Sequence, residues 1–478
     1  MITKNNPLLA LDVYKMGHMS QYAPGTTFVS SYFCNRSDKY FDKHIFFGLQ
    51  YYLQEYLSTK ITKEMGEEFL YHRSLILGKP EKGVVEKINN LCNLGYFPLK
   101  IKSLPEGLVT TKGVPLFTIT NTIPEYHWVV GMVESLLLKI WYSNTVATAS
   151  YKYRQLVNKL FEESVDEDKF FLKDFMVHDF GFRGDSSEEG AALSGVSHLL
   201  NFTGSDTVPA LGLAIKNYYA DTSKPIMLSV PASEHSVACS FGKDNEFDYF
   251  ENMLNVYPEG IVSIVSDQYD VYKVFSEYTV RLKDKILARK GKTVFRPDSG
   301  DQETVICGDE NMELNSPQWL GCLRLLDKVF GHTINSKGYK VLNESVGLIY
   351  GDGMYYEKYE RTQRRLMSMG YSAENLVIGV GGILRNYSRD ALGAAIKAVW
   401  VEKNGLPTEI FKDPVTDHKK KSLKGLLYVG EKNGELFVED QVSSEKEQTG
   451  LLTEVFVDGR MVRETNLSEI RSRLNEVL

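Results

Sequence analysis

The sequence predicts an α/β protein: a parallel β/α barrel with a second, β-rich α+β domain built from N- and C-terminal segments. Three observations carry this. Between about residue 175 and residue 400, short apolar runs of β type end in clusters of polar, charged and glycine residues. These clusters read HDFGFRG, NFTGSDT, IMLSVPASEHS, GIVSIVSDQYD, KTVFRPDSGD, VGLIYGDG and NLVIGVGG. They recur at roughly 30 residues, the size of a βαβ unit, with mostly helical segments between them. In parallel barrels the C-terminal strand ends carry the chemistry, so this pattern reads as an enzyme.

The flanking segments break that rhythm. FVSSYFCNR alternates like a strand, and GLQYYLQEYLSTKI has helical spacing. LPEGLVTTKGVPLFTITNT reads as two strands around a glycine turn, and residues 125–161 read as helical. After the repeats, LLYVGEKNGELFVED and EVFVDGRMVRE read as hairpins on Asn433-Gly434 and Asp458-Gly459, followed by a helix over 466–478. The expected division is residues 1–150 plus 402–478 for the accessory domain and 151–401 for the barrel. Residues 301–345 form an insertion with one helix near Pro317–Val329.

Composition bounds the function. At 478 residues the chain exceeds one ordinary core, and 43% hydrophobic content is ample for two. A net charge of -7 argues against a nucleic-acid partner. Five scattered cysteines without a CxxC pair point to reduced thiols. No apolar run reaches about 18 residues, so no membrane segment is expected. With no signal-peptide pattern either, the expected location is cytoplasmic.

The strand ends supply candidate chemistry. A lone histidine is more often structural, but His235 follows a barrel strand among other polar strand ends, where it could bind phosphate, act as a base or be transiently phosphorylated. Asp267, Asp270, Asp298 and Asp352 could each cap a helix. Four acids in one ring would repel unless a cation sits among them, and such oxygen donors suit Mg²⁺ together with substrate phosphates. Arg296 is either paired with Asp298 or a fork for a phosphate or an amide carbonyl, and Arg183 offers a second cation. Gly381 and Gly382 follow the next-to-last barrel strand, where phosphate is often bound. Arg389 and Lys397 could complete an anion site, and one or two lysines of FKDPVTDHKKKSLKG could reach a polyphosphate. Phe180 and Tyr14 could stack on a flat heteroaromatic substrate. Together these residues describe a Mg²⁺-assisted enzyme acting on a phosphorylated sugar.

The motifs LDVYKMGHMSQYAPGT, YFCNR, HDFGFRG, NFTGSDTVPAL, SVPASEHS, VSDQYD, RPDSGD, NSKGYK, GDG and FKDPVTD resemble, in order and over nearly the whole chain, those of the nicotinamide phosphoribosyltransferase family, a type II phosphoribosyltransferase family. The resemblance implies nicotinamide, phosphoribosyl pyrophosphate and ATP as ligands, Mg²⁺, and a homodimer with shared active sites. It implies that Phe180 and Tyr14 sandwich the pyridine, with Tyr14 and Asp12 coming from the second subunit. Asp206 would accept from the carboxamide and Arg296 would bind its oxygen. Asp298 and Asp352 would hold ribose hydroxyls, with Asp267 near the ribose and Mg²⁺. Arg183, Ser229, Ser263 and Gly351 join the implied substrate-binding set, and Asp267 and Asp298 form the implied metal set. Gly381 and Gly382 would take the 5′-phosphate, Arg36, Arg389 and Lys397 other phosphates, and Lys412 and Lys420 the pyrophosphate or ATP. His235 matches the histidine that the family phosphorylates. The loop GVGGIL departs from the family, which usually has a serine and one more glycine there, and residues 301–345 also differ.

Three other readings compete. Nicotinate phosphoribosyltransferase shares the fold, but Asp206 argues for the amide. A barrel aldolase or isomerase would need a strand-end Schiff-base lysine or base, and no strand end offers a clear lysine. A degenerate binding or signalling protein sits badly with the full set of acids, His235 and Gly381-Gly382.

Overall fold

The computed structural model of the chain describes residues 6–416 and 421–477. It divides into two compact units. One comprises the chain up to Thr148 together with Ala214–Ala220 and Tyr387–Val477, and the other comprises Ala149–Leu213 and Asp221–Asn386.

The first unit is built on a seven-stranded antiparallel sheet. Its order is Leu406–Glu409, Ala395–Lys403, Thr26–Cys34, Pro115–Asn121, Leu99–Ser103, Thr453–Val457 and Arg460–Met461. Its central strand Thr26–Cys34 is buried from Val29 onward, and Phe33 and Phe117 stack at 5.0 Å in the core. The two hairpins form as read, and the last helix spans Leu467–Asn475 behind an Asn466–Glu469 capping box.

Two segments depart from the expected division. Ala395–Lys403, read as the last barrel strand, pairs antiparallel with Thr26–Cys34. The cause is local: Asn404 and Gly405 take φ of 53° and 72°, so the strand turns straight into a hairpin with Leu406–Glu409. Ala214–Ala220 interrupts the repeat because its polar groups are spoken for in the first unit. The Tyr218 hydroxyl donates to buried Glu106 at 3.0 Å, and Asn217 donates to Gln54 and Glu55.

The second unit holds a parallel sheet in the order Val177–Asp179, Leu376–Val380, Val346–Tyr350, Thr293–Arg296 and Val262–Val265. Leu376–Val380, Val346–Tyr350 and Val262–Val265 are almost wholly buried, as near-continuous apolar runs covered on both faces should be. Isolated parallel bridges Asp179↔Ser205, Gly204↔Leu228 and Ala232↔Ser263 link further backbone to both edge strands. The insertion holds the expected helix, Pro317–Phe330, plus a helix at Gln302–Cys307 and the hairpin His332–Ile334 with Lys340–Leu342. None of the five cysteines is in a disulfide. Among the described residues, no helix is long and apolar enough to cross a membrane.

Candidate active site

All five parallel strands run the same way, so their C-terminal ends meet at one rim. A cleft of about 1360 Å³ opens there, and Phe180, Arg183, Asp206, His235, Arg296, Asp298, Gly351, Asp352, Gly381 and Gly382 are among the residues that line it. The structure therefore brings together most of the strand-end residues singled out from the sequence.

One wall is aromatic. Phe180 directly follows the strand Val177–Asp179, and its N–H donates to the Val380 carbonyl at 2.8 Å. The ring lies against glycine backbone: a Cβ added at Gly379 would sit 2.2 Å from Phe180 Cε2, and one at Gly351 would sit 3.4 Å away. Gly379 therefore makes room for the ring, a task the sequence reading did not assign to it.

Beside that ring sits Asp206. Its Oδ1 accepts from Nε2 of His178 at 3.2 Å and from the Ser229 hydroxyl. Burial pushes this carboxyl up, but the two hydrogen bonds more than compensate and its pKa lies below the ordinary value. His178 also packs against Phe180, with ring centroids 5.1 Å apart. The sequence reading quoted His178 within HDFGFRG and gave it no role; its spacing of two from Phe180 on a strand was the available signal.

The floor is a charged pair. Arg296 Nε donates to Asp298 Oδ2 at 3.0 Å while its Nη2 donates to the Ser233 carbonyl at 2.8 Å. The Gly351 N–H donates to Asp298 Oδ1 at 3.1 Å. Burial raises the Asp298 pKa, against Arg296, with the Asp267 charge adding to the rise. The paired reading of Arg296 holds, and the other arm of its guanidinium is taken by the Ser233 carbonyl.

His235 opens the helix His235–Cys239, and its Nε2 reaches Asp267 Oδ1 at 3.0 Å. The other Asp267 oxygen accepts from the Ser299 hydroxyl. Asp270, by contrast, caps the next helix through the N–H groups of Tyr272 and Lys273, so the capping reading holds for it. Ser263 is buried on its strand with no hydrogen-bond partner for its hydroxyl among the described residues.

The remaining sequence-predicted residues lie in the first unit. Tyr14 is 60% exposed on the short helix that Asp12 precedes. Arg36 donates through its backbone N–H to Leu392 and through Nε to Gly393, which fixes it near Lys397. Burial, Arg36 and Lys412 together lower the Lys397 pKa, the signature of cations gathered at one place. Arg389 starts a single turn of 3₁₀ helix, and Lys420 falls outside the described residues.

The donor set can be tested for Mg²⁺. Among the described residues no group of three or more His, Cys, Asp or Glu is arranged to hold a metal ion. Asp267 and Asp298 have every oxygen hydrogen-bonded once, which leaves lone pairs but no protein cage. That fits an ion bound mainly through substrate phosphates, as Mg²⁺ commonly is, with Asp267 and Asp298 as the available carboxylates.

Comparison with known proteins agrees with this geometry. Residues 175–460 match the nicotinate phosphoribosyltransferase (NAPRTase) family, and residues 6–72 match the nicotinamide phosphoribosyltransferase N-terminal domain. The chain is 40% identical to a nicotinamide phosphoribosyltransferase of Acinetobacter baylyi, over 99% of this chain and 98% of that one. It is 36% identical to one of Xanthomonas campestris, over 98% of each. In fold it resembles crystal structures of nicotinate-nucleotide pyrophosphorylase from Pyrococcus furiosus (TM-score 0.59, 14% identity, 100% of this chain and 96% of that one) and of human nicotinic acid phosphoribosyltransferase (TM-score 0.57, 17% identity, 97% and 93%).

Proposed function

The chain belongs to the nicotinamide phosphoribosyltransferase family, and from that premise we propose that it transfers the phosphoribosyl group of phosphoribosyl pyrophosphate to nicotinamide. The products are nicotinamide mononucleotide and pyrophosphate, a step of NAD salvage. The observation that carries the choice of substrate is Asp206, held as a carboxylate beside the Phe180 ring by His178 and Ser229. A carboxylate there accepts from a carboxamide NH₂ and repels the carboxylate of nicotinate.

In this reading Phe180 stacks on the pyridine and Arg296 donates to the carboxamide oxygen. Asp298 and Asp352 hold the ribose hydroxyls, while Arg183, Gly381 and Gly382 receive the 5′-phosphate. As the pyrophosphate leaves, C1 of the ribose becomes cationic, and the carboxylates at the strand ends favour that charge. The pyridine nitrogen has a free lone pair and attacks without a general base. Asp267 and Asp298 would hold Mg²⁺ together with substrate oxygens, and the ion would supply positive charge for the departing pyrophosphate. His235 accepts the γ-phosphoryl group of ATP with release of ADP and later yields it to water as phosphate, coupling this net hydrolysis to substrate affinity.

The bridges at both sheet edges support reading the second unit as a closed β/α barrel. A cytoplasmic homodimer is the expected form, with Tyr14, Asp12 and the cations around Lys397 completing the partner's site. The deciding experiment incubates the protein with phosphoribosyl pyrophosphate, Mg²⁺ and either nicotinamide or nicotinate and identifies the mononucleotide. Nicotinate mononucleotide as the main product would replace this reading with the nicotinate enzyme.

A further inference from the structure

At the wall of the cleft, beside the glycine loop, lies a buried charge cluster that the reading above gives no role. Arg385 closes the turn Gly382–Arg385. Its side chain is 2% exposed, between Asp179 at 0% and Asp185 at 3%. Nη1 lies 2.9 Å from Asp179 Oδ1, and Nε lies 2.6 Å from Asp185 Oδ2 and 3.0 Å from the Ser194 hydroxyl. Nη1 also donates to the Gly381 carbonyl at 3.2 Å.

Each acceptor belongs to a different part of the cleft wall. The Gly381 carbonyl is in the loop assigned to the 5′-phosphate. Asp185 ends the turn that carries Arg183. Asp179 receives the Gly181 N–H at 2.9 Å and the Ser205 hydroxyl at 3.1 Å, and its carbonyl accepts the Asp206 N–H at 2.8 Å. One guanidinium therefore ties the phosphate loop to the backbone that aims the amide-reading carboxylate. The fit is tight: a Cβ at Gly181 would sit 1.9 Å from Nη1, and one at Gly184 would sit 3.1 Å from the Gly382 Cα. A single planar fork meeting several acceptors at fixed angles is a task for arginine rather than lysine.

We propose that Arg385 is a positioning residue that sets the phosphate loop and Asp206 in one register, so that it governs the binding of both substrates through the groups it holds. The assignment of the two ligand ends rests on the function proposed above; the mechanical link does not.

The test uses Arg385→Lys, which keeps the charge, and Asp185→Asn, which removes one ion pair and leaves Arg385 in place, so that loss of folding in one variant leaves the other. In each folded variant the KM for phosphoribosyl pyrophosphate and for nicotinamide should rise together, by about tenfold in Arg385→Lys, with kcat changed by less than about threefold. Hydrogen–deuterium exchange without ligand should quicken in peptides covering both 379–386 and 203–208. Unchanged exchange in both peptides, or faster exchange in 379–386 alone, overturns the link. A wild-type enzyme that turns over neither pyridine overturns the function instead, and the exchange measurement still judges Arg385.

Discussion

His235 Nε2 lies 3.0 Å from Asp267 Oδ1, and the two differ sharply in burial: the imidazole side chain is 49% exposed and the carboxylate 2%. A buried acid thus orients an accessible ring, leaving the opposite ring nitrogen for phosphoryl transfer. His235→Ala should abolish stimulation by ATP and leave an ATP-independent rate. Turnover measured with and without ATP, together with acid-labile labelling from γ-labelled ATP, checks this. Full stimulation in the variant refutes the phospho-histidine assignment.

Asp206→Ser should erode the preference for the amide. Losing the like-charge contact with nicotinate is expected to shift the ratio of kcat/KM values by about tenfold or more toward the acid. Competing the two pyridines in one reaction and quantifying both mononucleotides gives that ratio directly. An unchanged ratio would remove Asp206 from substrate selection.

Gly379→Ala tests the aromatic wall without altering a polar group. The new methyl would collide with Phe180 Cε2, so the ring must move. Stacking on a displaced ring is weaker, and the KM for nicotinamide should rise by about tenfold. The KM for phosphoribosyl pyrophosphate should move far less, and initial-rate kinetics in both substrates separates the two.

Stability should depend on His198. Burial lowers its pKa from 6.5 to about 4, and its ring accepts from the Ser150 hydroxyl at 3.1 Å while Nε2 donates to the Val177 carbonyl at 3.1 Å. The unfolded chain takes up a proton below pH 6.5 that the native state refuses until about pH 4. The stabilising effect is complete above that window and drains away as pH falls through it, by about 3 kcal/mol in all. His198→Gln should lose this dependence, so denaturant unfolding at neutral pH and at about pH 4.5 should show the gap between the two proteins narrowing in acid. Parallel pH profiles would contradict it.

Much of the catalytic unit was legible because parallel strands advertise themselves: apolar runs such as Val262–Val265 are buried throughout, and the polar residues after them have only the rim to occupy. What escaped the reading depended on contacts distant in sequence. Arg385 was hidden because its partners Asp179 and Asp185 lie about two hundred residues earlier. The need for glycine at 379 comes from the Phe180 ring, about two hundred residues earlier in the chain. Ala395–Lys403 continued the barrel rhythm by hydrophobicity alone, and the Asn404-Gly405 pair after it was the overlooked sign of a hairpin.

The placement of that strand bears on how the chain is born. Thr26–Cys34 leaves the ribosome long before one of its two neighbours, Ala395–Lys403. The Thr27 hydroxyl donates to Glu402, a partner 375 residues downstream. Until Ala395–Lys403 has been made, the early strand keeps a raw edge open to pairing with other nascent chains. The catalytic unit, completed at Asn386, has no such wait. The protein's vulnerable period is thus set by translation speed, and slowing the ribosome late in the message should raise aggregation more than slowing it early.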